Sequence, residues 1–347
     1  MELRERESRR DDATAARQPN VCDISAFRGT HVLITGGLGF IGSNLARTLV
    51  AAGGHVRVFD SLLSTGGGSL FNLFGIDDLV EVTVSNLHDI DAVVNAVEGV
   101  QYVFNLAGQS SHWDSMTDPQ SDLEANCSSQ LSLLECIRHT SPLARIVFAS
   151  TRQIYGVPCY LPVDENHPLR PVDMNGIHKH AGERYHELYA RVYGLHCTIL
   201  RLTNTIGPRM RIKDARQTFA GLWIRRSLES RPFEVWGGDQ IRDFTFVDDV
   251  VDALLRAATS SIARGRIYNL GSEPHSLRSF AQFIQDATGC EYHVKAFPED
   301  RKVIDIGDYY ADYRRIREDL GWLPRVSARE AVGRTIAYYR ECLEKYV

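Results

Sequence analysis

Apolar and polar positions alternate along this chain in two rhythms. From His31 a short unbroken apolar run, Val32-Leu33-Ile34, ends in a cluster of glycines. Phe40, Ile41, Leu45 and Leu49 then return at helical spacing until Gly53-Gly54 stops the helix. Residues 56–59 predict a second strand, and residues 80–84, 102–106 and 145–149 predict three more. Between the last two, Asp118-Pro119 opens a long helix reaching about Arg138, proline being suited to the first helical position. Another helix is expected from about Asn175 to Tyr193, followed by a strand over 197–202. Strands alternating with helices imply an α/β protein built on a Rossmann-type, doubly wound parallel sheet. After about residue 205 the alternation loosens. Helices near 215–229, 248–259, 276–288 and 326–345 mix with short strands, which predicts a smaller mixed α/β lobe. The expected division is a first domain over 29–205 and a second lobe over 206–347, with the chain crossing between them near 240–272.

Composition narrows the class. The chain has 347 residues and is 44% hydrophobic, enough to bury a sizeable core. Its 39 Lys and Arg against 44 Asp and Glu give a net charge of −5, which argues against a general binder of nucleic acid. No apolar run is long enough to span a bilayer. The N-terminus lacks the apolar core of a signal peptide, and its acids argue against a transit peptide, so a soluble cytoplasmic protein is expected. Seven cysteines, scattered and without a CxxC pair, speak against a disulfide framework or a zinc site, and no metal is expected. Residues 1–18 carry five Arg, five acids and almost no large apolar side chain. A disordered, solvated extension is therefore expected ahead of the first domain, over 1–28.

The strongest motif is Thr35-Gly36-Gly37-Leu38-Gly39-Phe40-Ile41-Gly42. It follows a predicted strand, opens a predicted helix and has an acid, Asp60, at the end of the next strand, the context a dinucleotide fingerprint requires. Gly36 permits the tight turn, Gly39 lets the backbone approach a pyrophosphate, and Gly42 lets the helix pack on the sheet. The helix start at Phe40 and Ile41 supplies unpaired N–H groups and a positive dipole end for the phosphates. Asp60 suits the ribose hydroxyls and would repel a 2′-phosphate, so NAD is expected rather than NADP.

The GxxGxxG spacing resembles that of the extended short-chain dehydrogenase/reductase family, specifically its NAD-dependent nucleotide-sugar epimerases and dehydratases. The resemblance covers about residues 30–345 and rests on an ordered set of motifs: TGGLGFIG at 35–42, Asp60, LAGQSS at 106–111, DP at 118–119, STRQIYG at 150–156, RLTNTIGP at 201–208, RDFTFVDD at 242–249, YNLGS at 268–272 and LGW at 320–322. The resemblance implies a nucleotide-sugar substrate and a site at the carboxyl ends of the strands. It places Asn86 and Leu87 beside adenine, Leu106, Ala107 and Gly108 under the cofactor, Lys179 on the nicotinamide ribose, Asn126 among the cofactor-binding residues, and Gln109 and Ser110 beside the sugar. Asn204 matches a position that contacts the sugar diphosphate, Arg242 and Arg301 match arginines that hold the nucleotide and diphosphate, Trp236 is placed to flank the base, and Arg216 to reach the nucleotide. A homodimer through the helices at about 119–138 and 175–193 is implied as well.

Thr151 matches the family's catalytic Ser/Thr, whose hydroxyl holds the oxygen of the reacting carbon. Many dehydratases carry Asp-Glu next; here Arg152-Gln153 offers no carboxylate acid or base, which disfavours dehydration. Arg152 suits an anionic substrate group, for example a uronate carboxylate, and equally a place on the surface. The family pairs a catalytic Tyr with the Lys four residues later, on one helix face. Lys179 is present, but the Tyr position is Asn175, and an amide has no accessible proton-accepting pKa. Either another group takes the proton or the chemistry is changed or lost. Tyr155, Tyr160, Lys179 and His178 are the candidates; His178 sits about 100° around the helix and reads first as an exposed position. The leading reading is epimerisation with tightly bound NAD. The rivals are a dehydratase or oxidoreductase that releases a keto-sugar, and a non-catalytic NAD- or nucleotide-sugar-binding protein.

Overall fold

The structure, a computed structural model, describes residues 22–63, 66–216 and 218–347, with the backbone alone at 300 and 301. Its strands are β1 (His31–Thr35), β2 (His55–Asp60), β3 (Val80–Val84), β4 (Tyr102–Asn105), β5 (Arg145–Thr151), β6 (His196–Leu202), β7 (Asn204–Ile206), β8 (Phe233–Trp236), β9 (Ile241–Phe246), β10 (Ile267–Asn269), β11 (Pro274–Ser276) and β12 (Tyr292–Lys295). The helices are α1 (Phe40–Ala51), α2 (Ile90–Val97), α3 (His112–Thr117), α4 (Pro119–Leu123), α5 (Ser129–Thr140), α6 (Met174–Val192), α7 (Phe219–Leu228), α8 (Val247–Thr259), α9 (Leu277–Thr288), α10 (Glu299–Lys302), α11 (Arg314–Leu320) and α12 (Ala328–Cys342).

The large sheet runs β3-β2-β1-β4-β5-β6-β10 and is parallel throughout. That is the doubly wound order, with the reversal between β1 and β4 where a ligand crevice forms. The unbroken apolar runs follow from burial of both sheet faces. Val32 and Ile34 pack with Leu45 and Leu49 of α1 and with Val250 and Leu254 of α8. Leu33 faces the other way, with Val103, Ile146, Leu133, Ile137 and Tyr189. The smaller lobe has its own core, where Phe244 stacks on Phe280 at 3.9 Å among Trp223, Phe233 and Ile336. In it β9 pairs with β7 in parallel and with β11 antiparallel, and β8 pairs with β12. α8 and β10 return to the Rossmann sheet, β10 pairing with β6.

Three sequence expectations change. Residues 22–28 are no extension: Phe27 is fully buried against Tyr102 and Phe104, and the Cys22 N–H donates to Asp252 at 2.8 Å. The rest of the predicted extension lies outside the described residues. The helix opened by Asp118, whose carboxylate caps Ser121, does reach Thr140, but a π turn at Glu124–Ser128 separates α4 from α5. The helix expected from 215 begins at Phe219, capped by Thr218.

Candidate active site

The glycine turn lies between β1 and α1. Gly36 has φ +68°, and a Cβ there would stand 2.9 Å from the backbone of Leu106 and Ala107, so only glycine fits this close crossing of two strand ends. A Cβ on Gly42 would run into the Gly36 carbonyl. Gly39 caps α1 without a side chain, which leaves the first N–H groups of the helix at Phe40 and Ile41 facing the crevice. Asp60 closes the turn from β2: its carboxylate accepts from Leu38 N at 3.0 Å and Leu62 N at 2.9 Å. Burial raises its pKa, and those two donors pull against the shift. Asn86 is exposed and caps the N–H of His88, while Leu87 is buried.

The nicotinamide end is built by β4, β5, α6 and the π turn. Asn126, fully buried, donates to the Gln109 carbonyl at 3.1 Å, but its Oδ1 has no partner. A Cβ on Gly108 would lie 2.5 Å from that Oδ1 and 2.8 Å from the Lys179 Nζ. The bare backbone at Gly108 therefore leaves one donor and one unsatisfied acceptor facing a common space, a fit for a ribose diol. Lys179 is buried; its ammonium donates to the Ala149 carbonyl at 3.3 Å and stands 5.2 Å from the centre of the Phe148 ring. Burial lowers its pKa to about 8, partly offset by Asp122 and Glu183.

At the end of β5 the Thr151 Oγ1 accepts from Gln153 N at 3.2 Å, so its O–H remains to be donated. The turn that follows is pinned to α6 by Asp173, which accepts from Gln153 Nε2 at 2.8 Å and caps Gly176 N at 2.7 Å. This is how Thr151 and Lys179, on different elements, keep their relative position. Asn175 is 1% exposed, and its Nδ2 donates to the Gln109 carbonyl at 2.8 Å and to Asp122 at 3.3 Å. Asp122 also accepts from His178 Nδ1 at 2.7 Å. His178 is thus a buried residue tied to α4, contrary to the exposed position read from the helix pattern, because α4 and the π turn cover that face of α6.

The other predicted proton acceptors move away from the chemistry. Tyr155 does not face the cleft. It is fully buried, donates to Asn269 at 2.6 Å, accepts from Arg201 at 2.8 Å, and burial raises its pKa. Tyr160 is exposed and donates to Asp164 at 2.8 Å.

On the lobe side, Asn204 Nδ2 donates to the Asp243 carbonyl at 3.2 Å, and its Oδ1 accepts from Arg152 at 2.9 Å. Arg152 therefore has no surface role. Arg242 is 5% exposed and holds the Ile241 and Gly307 carbonyls and Asp305. Arg216, in the loop before α7, reaches Asp114 of α3 at 3.3 Å, bridging the two lobes across the cleft. Trp236 is 40% exposed beside Phe297, Ser110 is exposed, and Gln109 Nε2 donates to the Ser111 carbonyl. The side chain of Arg301 lies outside the described residues. Sequence reasoning missed Asp122, Asp173 and Tyr309. Only Asp173 carried a readable signal, an acid immediately before a predicted helix start.

The profile of the NAD-dependent epimerase/dehydratase family matches residues 32–271, more than half of the chain. The chain belongs to that family. NAD is its cofactor, and the Gly36–Gly42 turn, Asp60 and the Gly108–Asn126–Lys179 space fit a dinucleotide. A UDP-glucose 4-epimerase of Mycolicibacterium smegmatis is 31% identical over 315 residues, 89% of this chain and 98% of that protein. The crystal structure of a Thermotoga maritima UDP-glucose 4-epimerase with UDP-glucose superposes with a TM-score of 0.82 at 30% identity, over 90% of this chain and 99% of that one. A Thermus thermophilus UDP-glucose 4-epimerase in complex with NAD gives 0.80 at 31% identity, over 90% and 99%. Family membership accounts for the Rossmann half.

Proposed function

We propose that the protein epimerises a nucleotide-diphosphate sugar through a transient keto-sugar held in the cleft. The observation that carries this reading is that Lys179, a buried ammonium with a pKa near 8, donates to the Ala149 carbonyl of β5, the strand that ends in Thr151 with an O–H left to donate. The likeness to UDP-glucose 4-epimerases supports a nucleotide sugar as substrate. NAD, when bound, supplies the hydride acceptor and donor. The chain's own residues do the rest. Thr151 donates to the oxygen of the reacting carbon and fixes its direction. Lys179, in its neutral form, takes the hydroxyl proton as the carbonyl forms and gives it back when the other face is reduced. Asn175 cannot do this, since its amide donates to Gln109 and Asp122 and holds the β4–α3 loop. Positions 152 and 153 are Arg and Gln, with the Gln153 amide donating to Asp173, so neither side chain after Thr151 is a carboxylate for water elimination.

In this reading the cofactor lies along Gly36–Gly42, Asp60, Asn86, Leu87 and Leu106–Gly108, with Asn126 and Lys179 on the nicotinamide ribose. Gln109 and Ser110 flank the sugar, while Asn204, Arg216, Trp236, Arg242 and Arg301 hold the nucleotide diphosphate. A homodimer fits the apolar residues left exposed on the paired helices: Leu131 on α5, and Ile177, Leu188 and Val192 on α6. The test is a panel of UDP-, dTDP-, CDP- and GDP-sugars, followed by NMR of the products. An epimer pair at equilibrium without net NADH is expected. A product lighter by one water would indicate a dehydratase, net NADH an oxidoreductase, and binding without hydride transfer a non-catalytic protein.

A further inference from the structure

One half-buried charge beside Thr151 has no part in the epimerisation just described. Arg152 leaves the end of β5 directly after Thr151. Its Nη1 donates to Asn204 Oδ1 at 2.9 Å, and its guanidinium carbon stands 5.6 Å from the centre of the buried Tyr309 ring. Its Nε is buried and has no hydrogen-bond partner. A guanidinium carries five N–H donors, and a buried donor left unmade is costly.

The neighbouring acids do not satisfy it. Asp243 accepts from the Thr203 hydroxyl and from Ala311 N at 3.0 Å, and Asp305 accepts from Arg242 at 3.0 Å and Gly307 N at 3.1 Å. Arg242, by contrast, is committed to two carbonyls and Asp305. Burial, and after it the like charge of Arg152, lowers the Arg242 pKa to about 10. Two cations thus stand close together in a buried cleft. Arg242 has an ion pair of its own; Arg152 feels the charge of Asp243 but, among the described residues, donates only to the Asn204 amide oxygen and lies by an aromatic face.

We propose that Arg152 selects a substrate whose sugar carries a carboxylate, so that the nucleotide sugar is a uronic acid rather than a neutral hexose. The inference rests on the nucleotide-sugar reading above and names its substrate class. A carboxylate is planar and takes two parallel N–H donors from one guanidinium edge, here the orphan Nε and a neighbouring Nη. The diphosphate is the competing anion, and the titration of UDP alone separates the two. Arg152 is the cation joined in sequence to Thr151, so the anion it meets is one borne by the ring whose hydroxyl Thr151 holds. Asn204 and Tyr309 fix the guanidinium in advance, which lowers the entropy cost of engaging the carboxylate.

The test uses the NAD-loaded full chain and calorimetric titration of UDP, UDP-glucose and UDP-glucuronate. UDP-glucuronate should bind tighter than UDP-glucose by on the order of ten- to a hundredfold, the scale of hydrogen bonds to a charged group. Arg152→Met should erase that preference and leave UDP bound as before, and Arg152→Lys should restore part of it. NAD binding reports whether each variant is folded; if the Met variant loses it, the native ratio and the Lys variant decide. Equal native affinity for the two sugars overturns the proposal and leaves the epimerase reading standing. A uniform loss for UDP and both sugars in Arg152→Met also overturns it, by placing the cation on the diphosphate. If native protein binds none of the three ligands and none of the dTDP-, CDP- and GDP-sugars, the nucleotide-sugar reading falls, and this inference with it.

Discussion

The side-chain amide of Asn175 donates to the backbone carbonyl of Gln109 at 2.8 Å, joining the first turn of α6 to the loop that leaves β4. At the position where the family resemblance implies a proton-transferring Tyr, this chain has a structural strut. The same amide reaches Asp122, which also receives His178, so four residues from two helices and a loop form one polar cluster. Asn175→Leu keeps the volume but takes one of two donors from the Gln109 carbonyl, which keeps Asn126, and strands one oxygen of Asp122. We expect a loss of on the order of 1–3 kcal/mol in denaturant unfolding, the cost of buried groups left unpaired. KM should rise more than kcat falls, because the loop carrying Gln109 and Ser110 loosens. A collapse of kcat at unchanged stability would mean that the amide takes part in the chemistry.

Lys179 makes a prediction with a definite sign. If its neutral amine is the proton acceptor, kcat/KM climbs with pH through about 8, where burial has placed its pKa. The same burial acts on stability in the other direction from an ordinary ion pair. Between about pH 8 and the ordinary lysine range the unfolded chain holds a proton that the folded chain has lost, so stability rises with pH across that window. Lys179→Met should therefore keep or raise the melting temperature at pH 7 while cutting turnover by on the order of 10²-fold or more. A pH–rate profile flat between 7 and 9 would remove Lys179 from the proton step.

The Rossmann half was legible because its signals are local. Val32-Leu33-Ile34 is apolar on both faces, and Gly36 sits where two strand ends cross too closely for a Cβ. Asp118-Pro119 announces its helix by cap chemistry alone. What stayed hidden depends on partners distant in sequence. Nothing around Tyr155 indicates that Arg201 and Asn269 will enclose its hydroxyl, and nothing in the pattern of α6 indicates that Asp122 will meet His178. Arg152 reads equally as surface or site until β7 brings Asn204 to it. The π turn inside the α4–α5 helix has no marker in residue type.

Asp60 performs two tasks, and its replacement separates them. Its carboxylate accepts from Leu38 N and Leu62 N, so it shapes the glycine turn as well as holding the ribose in the proposed reading. Asp60→Ala should weaken NAD by on the order of 1.5–3 kcal/mol, the value of hydrogen bonds to a charged acceptor. NADP, which the native carboxylate repels, should lose less. Fluorescence titration of both dinucleotides checks this, and equal native affinity for NAD and NADP would contradict the ribose role.

Glu183 and Arg201 form the buried ion pair beneath the site, with Nε to Oε1 at 2.9 Å and Nη2 to Oε2 at 2.7 Å. The remaining Nη1 donates to the Tyr155 hydroxyl, which passes its own proton to Asn269. The Arg201 pKa is raised: burial opposes the charge, but the contacts with Glu183 and Tyr155 prevail. Glu183→Gln would leave the guanidinium without its counter-charge, at a cost of about 3–5 kcal/mol. Tyr155→Phe removes a neutral link and should cost on the order of 1 kcal/mol. Since Tyr155 lies behind β5 and not in the cleft, that variant should keep the native pH–rate profile. A shifted or lost alkaline or acidic limb in Tyr155→Phe would instead make it the proton acceptor and overturn the assignment to Lys179. Measuring the pH profile and the unfolding curve on the same two variants separates support of the fold from proton transfer.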